Sequence, residues 1–168
     1  IASATVYIIN DIYDYESDKK HPIKKNYRPI AAEKIKFKEA IIFYLFLSII
    51  LFVGSIFFNI KIFFIILIYI IFNIFYSIKL KLYPFIDIAI ISIGFILRIL
   101  CGAESINVEA SKWILITTFT LGIYLSSIKR FQEINLQTNI RLVFNFYNEK
   151  LLKQLAKFAS ICTLFFYS

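Results

Sequence analysis

Long apolar runs separated by short polar segments are the feature of this sequence that most limits its fold. They occupy 1–9, 39–58, 62–78, 86–103, 112–130 and the stretch from 155 onward. About 20 apolar residues are enough for a helix to cross a bilayer, where backbone polar groups must be satisfied within the helix itself. The chain is also 60% hydrophobic, whereas soluble domains are roughly 45–50% apolar. We therefore predict an all-α, multi-spanning transmembrane helix bundle.

Positive charge is concentrated in alternate segments between these runs. The net charge is +8, and nearly all Lys and Arg lie in 19–38, 79–81 and 129–157, whereas the opposite turns carry only Lys61 and Lys112. Short loops rich in Lys and Arg face the cytoplasm in membrane proteins. We expect the three basic segments to face the cytoplasm and to contact anionic head groups of the lipid bilayer rather than nucleic acid.

The chain offers little for chemistry based on sulfur or imidazole. Cys101 and Cys162 lie in apolar runs, which favours small core thiols over a disulfide or a cysteine metal site. His21 is the only histidine, so neither a zinc site nor a Ser-His-Asp triad is expected. No methionine is present, and both ends fall within apolar runs. We expect one domain over 1–168, truncated within helices at both ends and lacking flanking helices.

The first apolar run ends in an acidic segment, NDIYDYESD, at 10–18. On a helix with about 100° per residue, Asp11, Asp14 and Asp18 fall within about 60° of one another. Asn10 lies beside them, and Glu16 points away. Carboxylates so placed repel unless a cation lies between them, and hard oxygen ligands without His or Cys suit Mg²⁺. We predict a magnesium site here, with a solvated acidic helix end as the alternative.

The acidic segment and its continuation resemble a known family. NDIYDYESD is similar to the NDxxDxxxD signature of the UbiA superfamily of intramembrane prenyltransferases. The following HPIKKNYRPIA, at 21–31, resembles the decaprenyl-phosphate phosphoribosyltransferase branch. The resemblance resumes at 76–81, 93–103 and 129–134, so it covers nearly the whole chain. It implies a UbiA-like bundle.

The resemblance also implies a Mg²⁺-dependent transferase with named site residues. The catalytic residues would be Asp11, Asp14 and Asp18. The metal ligands would be Asn10, Asp11, Asp14, Asp18 and Glu133. The substrate-binding residues would be Asn10, Lys24, Lys25, Arg28, Tyr76, Lys81, Arg98, Lys129 and Arg130. Most members carry a second aspartate-rich motif where this chain has KRFQEI, at 129–134.

Two charged residues lie inside the span 86–103. A charge at the bilayer centre costs about 2.5–3.5 kcal/mol, so we expect Arg98 to face the bundle interior, either at the substrate or in an ion-pair network that holds helices together. Asp87 points nearly the same way, but it lies roughly 16 Å along the helix from Arg98. Each residue therefore needs a partner elsewhere. Ser126, Lys129, Arg130, Glu133 and Gln137 are predicted to share one helix face, with a solvated basic helix end as the alternative.

The resemblance implies transfer of a 5-phosphoribosyl group from 5-phosphoribosyl 1-diphosphate to a polyprenyl phosphate, with release of pyrophosphate. The membrane would be the bacterial cytoplasmic membrane, with the active site facing the cytoplasm. A metal held by carboxylates can stabilise the charge that develops on a departing pyrophosphate. The alternative is a prenyltransferase that moves a polyprenyl group from prenyl diphosphate to an aromatic or other lipid-soluble acceptor, such as 4-hydroxybenzoate. A non-catalytic cation-binding or transport bundle ranks third, because we find none of the broken helices typical of transporters.

Overall fold

The computed structural model of the chain describes residues 1–21, 24–135 and 147–168. These residues form helices and no strand, which confirms the all-α prediction. The helices are α1 (Ala2–Lys20), α2 (Lys24–Tyr27), α3 (Phe37–Phe58), α4 (Ile60–Ile78), a short 3-10 helix (Leu80–Leu82), α5 (Ile86–Ser105), α6 (Lys112–Asn135) and α7 (Glu149–Tyr167).

Three of the helices, α3, α4 and α5, are long and apolar enough to cross a membrane, with mean hydropathies of 2.7, 2.2 and 2.1. They coincide with three of the predicted spans. Only 11% of the most apolar stretch of α3 is buried, and large side chains such as Phe43 and Phe46 are exposed. Broad exposed apolar surfaces of this kind mark contact with lipid or protein. The chain is therefore part of an integral membrane protein, whereas its orientation stays a prediction.

The chain divides into two compact units, Ile1–Ile78 and Lys79–Ser168, which are described separately. In the first unit, α1 packs against both α3 and α4, with Val6 and Ile9 among the buried side chains. The turn between α3 and α4 is made by Asn59, whose side-chain oxygen accepts the Lys61 N–H at 3.0 Å. Asn is a favoured helix N-cap because it satisfies such an N–H. The cap starts α4 directly after α3, and α4 packs back against α3.

The segment that follows α1 returns along the end of that helix. Ile30 and Ala31 are buried, and Glu33 has a φ of 58° in the turn. Lys19 donates to Glu33 at 2.8 Å. This exposed hydrogen bond raises the pKa of Lys19 and lowers the pKa of Glu33. The return places Arg28 within reach of the α1 side chains.

In the second unit, α6 packs against both α5 and α7. A Cβ added at Gly122 would lie 2.8 Å from the Cα of Ser92, so the α5 and α6 backbones meet at a distance that only glycine allows. On the other side of α6, Thr163 donates to the Thr120 hydroxyl at 3.0 Å. Close approach through small residues is typical of helix pairs in membranes. These contacts hold the middle of α6, which continues into the second predicted motif at 129–134.

Candidate functional site

The acidic segment forms the last turns of α1, and its acidic side chains point in the directions predicted from the helical period. Asp14 and Asp18 are buried, and Asp11 is half-buried. Glu16 is exposed on another side of the helix. Carboxylates are rarely buried unless they are paired or bind a cation. These three residues, Asp11, Asp14 and Asp18, which we call the acidic stripe, therefore need positive charge or hydrogen-bond donors beside them.

A guanidinium lies against this stripe. Arg28 Nη1 lies 2.5 Å from Asp11 Oδ1, and Arg28 Nε lies 3.9 Å from Asp18 Oδ2. The Arg28 side chain is 35% exposed, whereas that of Asp11 is 13% exposed. Sequence analysis predicted phosphate binding for Arg28 and missed its pairing with the stripe. The local HPIKKNYRPIA pattern gives no sign of which acid the arginine reaches.

The donor set of the stripe fits Mg²⁺ in its chemistry, since all predicted ligands are carboxylate or amide oxygens. Asn10 Oδ1 accepts a hydrogen bond from Ser77 of α4 at 3.2 Å, which holds the amide in place. An amide oxygen has two lone pairs, so this bond is compatible with metal ligation. Within the described ranges, no group of three or more His, Cys, Asp or Glu side chains is arranged to hold a metal ion. The magnesium ligands stay a prediction.

A cavity of about 720 Å³ lies beside the stripe in the first unit. It is formed by α1, the returning segment and the first turns of α3, and its lining includes Ile8, Asp11, Ile30, Phe43 and Phe46. Asp11 and Glu39 are the acidic residues of a lining that is otherwise apolar. Ligand sites are concave and mostly apolar, with a few polar groups that fix orientation. An apolar cavity surface thus lies beside Asp11, at one end of the stripe.

The other predicted contacts of the first unit lie near the ends of helices. Lys25 is exposed on α2, and Tyr76 is half-buried in the last turn of α4. The backbone of Lys24 belongs to α2, whereas its side chain lies outside the described part of the structure. The roles of these three residues in substrate binding stay predictions.

The second motif, at 129–134 in α6, contains both buried and exposed residues. Arg130 is buried, with 1% of its side chain exposed, whereas Lys129 is exposed. Ser126 is buried on the same side as Arg130 and donates to the Gly122 carbonyl at 2.6 Å. The two neighbours therefore differ in exposure, and their place on one broad helix face stays a prediction. Gln137, which was assigned to that face, lies outside the described residues.

Arg130 belongs to a buried network that sequence analysis missed. Its Nε lies 3.1 Å from Asp87 Oδ2, and its Nη1 pairs with Glu133 one turn along α6. Tyr147 Oη donates to Asp87 Oδ1 at 2.5 Å and accepts the Phe85 N–H at 2.7 Å. Burial, reinforced by the hydrogen bond to Asp87, raises the pKa of the Tyr147 phenol, which keeps it protonated as a donor. The only sequence signal was that Asp87 needed a partner.

Arg98 lies on an exposed face of α5 within the described chain, with its guanidinium carbon 5.4 Å from the centre of the Phe95 ring. The prediction of an interior position is therefore not confirmed. A cation over an aromatic face gains electrostatic stabilisation, which rises when the pair is desolvated. Lys81 is half-buried in the 3-10 helix. Substrate contact by Arg98 and Lys81 stays a prediction.

The chain resembles several phosphoribosyltransferases. It is 30% identical to the decaprenyl-phosphate phosphoribosyltransferase of Corynebacterium glutamicum, over 79% of this chain and 40% of that protein. The enzymes of the same name from Mycolicibacterium smegmatis and Mycobacterium tuberculosis are 29% and 26% identical, over 81% of this chain and 42% and 45% of their own lengths. The chain thus spans less than half the length of these relatives.

Solved structures share the fold. A UbiA homolog from Archaeoglobus fulgidus bound to GPP and Mg²⁺ superposes with a TM-score of 0.80 at 19% identity, over 99% of this chain and 62% of that one. The same homolog bound to DMAPP and Mg²⁺ gives 0.83 at 18% identity, over 99% and 61%. A structure of digeranylgeranylglyceryl phosphate synthase gives 0.74 at 25% identity, over 98% and 59%. The model of the UbiA prenyltransferase family matches residues 1–166, and the chain belongs to that family.

Proposed function

We propose that the whole protein transfers a 5-phosphoribosyl group from phosphoribosyl diphosphate to a polyprenyl phosphate in the bacterial cytoplasmic membrane, on the cytoplasmic side. The observation that carries the proposal is the similarity to phosphoribosyltransferases of that class over about four fifths of the chain. The bond between C1 of ribose and the pyrophosphate oxygen breaks, and an acceptor phosphate oxygen takes its place. Pyrophosphate leaves with the electron pair of the broken bond.

The acidic stripe is the proposed catalytic centre. Asp11, Asp14 and Asp18, with the oxygen of Asn10, would hold Mg²⁺, which supplies positive charge to the departing pyrophosphate. The guanidinium on the stripe supports this proposal, because two of the same carboxylates already attract one cation. Arg28 would leave Asp11 for a donor phosphate, to which it can present two parallel N–H groups. Lys24 and Lys25 would add charge from α2.

The second motif supplies the charge that distinguishes the proposed donor. A phosphoribosyl donor carries a 5-phosphate in addition to its diphosphate, so it calls for more cationic groups than a prenyl donor. Lys129 is the exposed cation that we assign to the 5-phosphate. Glu133, which is half-buried, is the proposed additional metal ligand. Further contacts with the substrate are assigned to Tyr76, Lys81 and Arg98. Arg130 is buried against Asp87 and Glu133, so we assign it to holding this motif rather than to the substrate.

Transfer of a prenyl group is the second candidate. It is favoured by the fold shared with a homolog that binds the prenyl diphosphates GPP and DMAPP. The apolar cavity beside Asp11 suits either reaction, because both need a lipid close to a diphosphate. The candidates differ in which substrate is the lipid: the acceptor in phosphoribosyl transfer, and the donor in prenyl transfer.

The deciding experiment offers both substrate pairs to membranes that contain the full-length protein. One arm uses radiolabelled phosphoribosyl diphosphate with a polyprenyl phosphate, and the other uses prenyl diphosphate with 4-hydroxybenzoate. We expect Mg²⁺-dependent release of pyrophosphate in the first arm only, at a rate about 10²–10³-fold lower for Asp14→Asn. Turnover in the second arm alone would replace the proposal by prenyl transfer. Turnover in neither arm would favour the third alternative, a non-catalytic cation-binding or transport bundle.

A further inference from the structure

Asp87 is a buried carboxylate for which the proposed reaction gives no role. It is 1% exposed at the start of α5, and its two oxygens contact residues of the second unit. Oδ1 accepts from the Tyr147 hydroxyl at 2.5 Å and from the Ile88 N–H at 2.9 Å. Oδ2 lies 3.1 Å from Arg130 Nε. One carboxylate thus links three parts of the second unit: the start of α5, the end of α6, and Tyr147, which precedes α7.

The network fixes the direction of the Arg130 side chain. A guanidinium is a planar fork of donors, so two carboxylates at different nitrogens determine its orientation. Nη1 donates to Glu133, and Asp87 forms an ion pair beside Nε without a hydrogen bond between Nε and Oδ2. With Arg130 held inside, its neighbour Lys129 is placed on the exposed side of α6, since successive helical residues differ by about 100°. The orientation of the second motif therefore depends on Asp87.

Tyr147 holds Asp87 from the other side and also restrains the chain before α5. Its hydroxyl accepts the N–H of Phe85, and its ring packs edge-on against the Phe85 ring with centroids 5.5 Å apart. Phe85 has a φ of 64°, in a region that bulky residues rarely adopt. Strain of this kind persists only where the surroundings determine the conformation, and it is common near functional sites.

We propose that Asp87 and Tyr147 are positioning residues of the second motif, which act through Arg130 to orient Lys129 and Glu133 towards a phosphorylated donor. Other contacts also hold these helices together. The α5 and α6 helices pack closely at Gly122 and Ser92, and Ile88, Leu152 and the ring of Tyr147, which Tyr147→Phe would keep, form an apolar core in the same unit. A buried ion pair is also weak evidence for stability, because apolar residues of similar volume often serve as well. The proposal rests on the proposed function in taking the ligand to be a diphosphate donor that Lys129 and Glu133 help to bind.

The test compares two variants with matched controls in the full-length protein. Asp87→Asn removes the charge and keeps the shape, and Tyr147→Phe removes only the hydroxyl. Glu109→Gln and Tyr83→Phe are the controls, because both side chains are exposed. The carbonyl of Tyr83 accepts the Asp87 N–H, and Tyr83→Phe keeps this backbone contact. We expect Asp87→Asn to raise the donor KM about tenfold and Tyr147→Phe about threefold, with kcat and the acceptor KM within about twofold, as for loss of donor binding alone.

A double variant separates positioning from stability. Asp87→Asn with Arg130→Gln leaves a neutral pair that can still form a hydrogen bond. We expect it to regain the thermal stability lost by Asp87→Asn alone while the donor KM stays high. A donor KM that returns to within twofold of the wild type would assign the network to stability and overturn the proposal. If Asp87→Asn fails to fold, the test is made with Tyr147→Phe alone, because this variant keeps every charge. An unchanged donor KM in Tyr147→Phe would then overturn the proposal.

The outcome is independent of the identity of the donor. The KM is measured for whichever diphosphate the wild type turns over, so failure of the phosphoribosyl assignment changes the substrate and not the comparison. If neither diphosphate is turned over, calorimetric binding of Mg²⁺-pyrophosphate replaces the KM and reports on Glu133, the proposed metal ligand, rather than on Lys129. We then expect about tenfold weaker binding by Asp87→Asn than by the wild type. Equal binding by the two proteins overturns the proposal.

Discussion

Arg28 pairs with Asp11 across the turn that follows α1, with Nη1 2.5 Å from Oδ1. The same guanidinium approaches Asp18, whose side chain is only 6% exposed. A basic residue of the returning segment thus neutralises the acidic stripe from within the same unit. The oxygens that it contacts are those predicted to bind Mg²⁺, so the guanidinium and the metal compete for them. Arg28 has a second predicted partner in the phosphate of the donor.

This competition predicts a measurable effect of Arg28→Gln. Removing the guanidinium leaves buried carboxylates with less compensating charge, so the variant should be less stable than the wild type without Mg²⁺. At a given concentration, a ligand that binds only the folded state stabilises that state more when it binds more tightly. We therefore expect Mg²⁺ to raise the Tm of Arg28→Gln more than that of the wild type, whereas the exposed control Lys34→Gln should behave like the wild type. Equal Mg²⁺-induced shifts in all three proteins, measured by thermal denaturation, would contradict the competition.

The phase of α1 predicts unequal roles for neighbouring acids. Asp14 is buried on the stripe, and Glu16 is exposed. Asp14→Asn removes one ligand charge, and loss of a preorganised electrostatic contact typically lowers kcat about 10²–10³-fold. Glu16→Gln should stay within about twofold of the wild type. The two variants are compared by initial rates of pyrophosphate release at saturating Mg²⁺. Equal losses of activity would exclude the stripe as the metal site.

Local pattern was enough to predict the helices and the phase of the stripe. Apolar runs of about 20 residues predicted α3, α4 and α5 because a membrane helix satisfies its own backbone groups. The partners of Asp87 were not predictable in this way. Tyr147 lies 60 residues away in sequence, and no periodic pattern encodes which residues meet after the chain folds. For the same reason the helical phase placed Lys129 and Arg130 on one face, whereas tertiary packing buried only Arg130.

Gly122 provides a test of the α5–α6 contact. A Cβ at this position would lie 2.8 Å from the Ser92 Cα, a backbone atom that cannot move alone. Gly122→Ala should therefore lower the free energy of unfolding by about 1–3 kcal/mol, as is typical of overpacking. Gly102→Ala in α5 is the matched control, because nothing lies within 4 Å of its added Cβ. Alanine should leave that helix equally or more stable. Both are measured by denaturation in detergent, and equal stabilities would argue against close α5–α6 packing.

The two halves of the proposed donor should respond to different cations. Lys129, exposed on α6, is assigned to the 5-phosphate, and Arg28, beside the stripe, is assigned to the diphosphate. Ribose 5-phosphate and pyrophosphate each carry one half of the donor, so each should inhibit through one cation. We expect Lys129→Gln to raise the inhibition constant of ribose 5-phosphate about tenfold and to leave that of pyrophosphate within about twofold.

Arg28→Gln should do the reverse, because charge-assisted contacts with phosphate are strong and directional. Lys150→Gln, at an exposed position of α7, controls for a general loss of positive charge. Competition is measured against the donor at fixed Mg²⁺ in membranes that contain the full-length protein, and ionic strength is kept constant because exposed charges are screened by salt. If Lys129→Gln weakens both inhibitors equally, Lys129 acts as a general anion attractor. If it weakens neither, the 5-phosphate is bound elsewhere and the case for a phosphoribosyl donor loses its structural support.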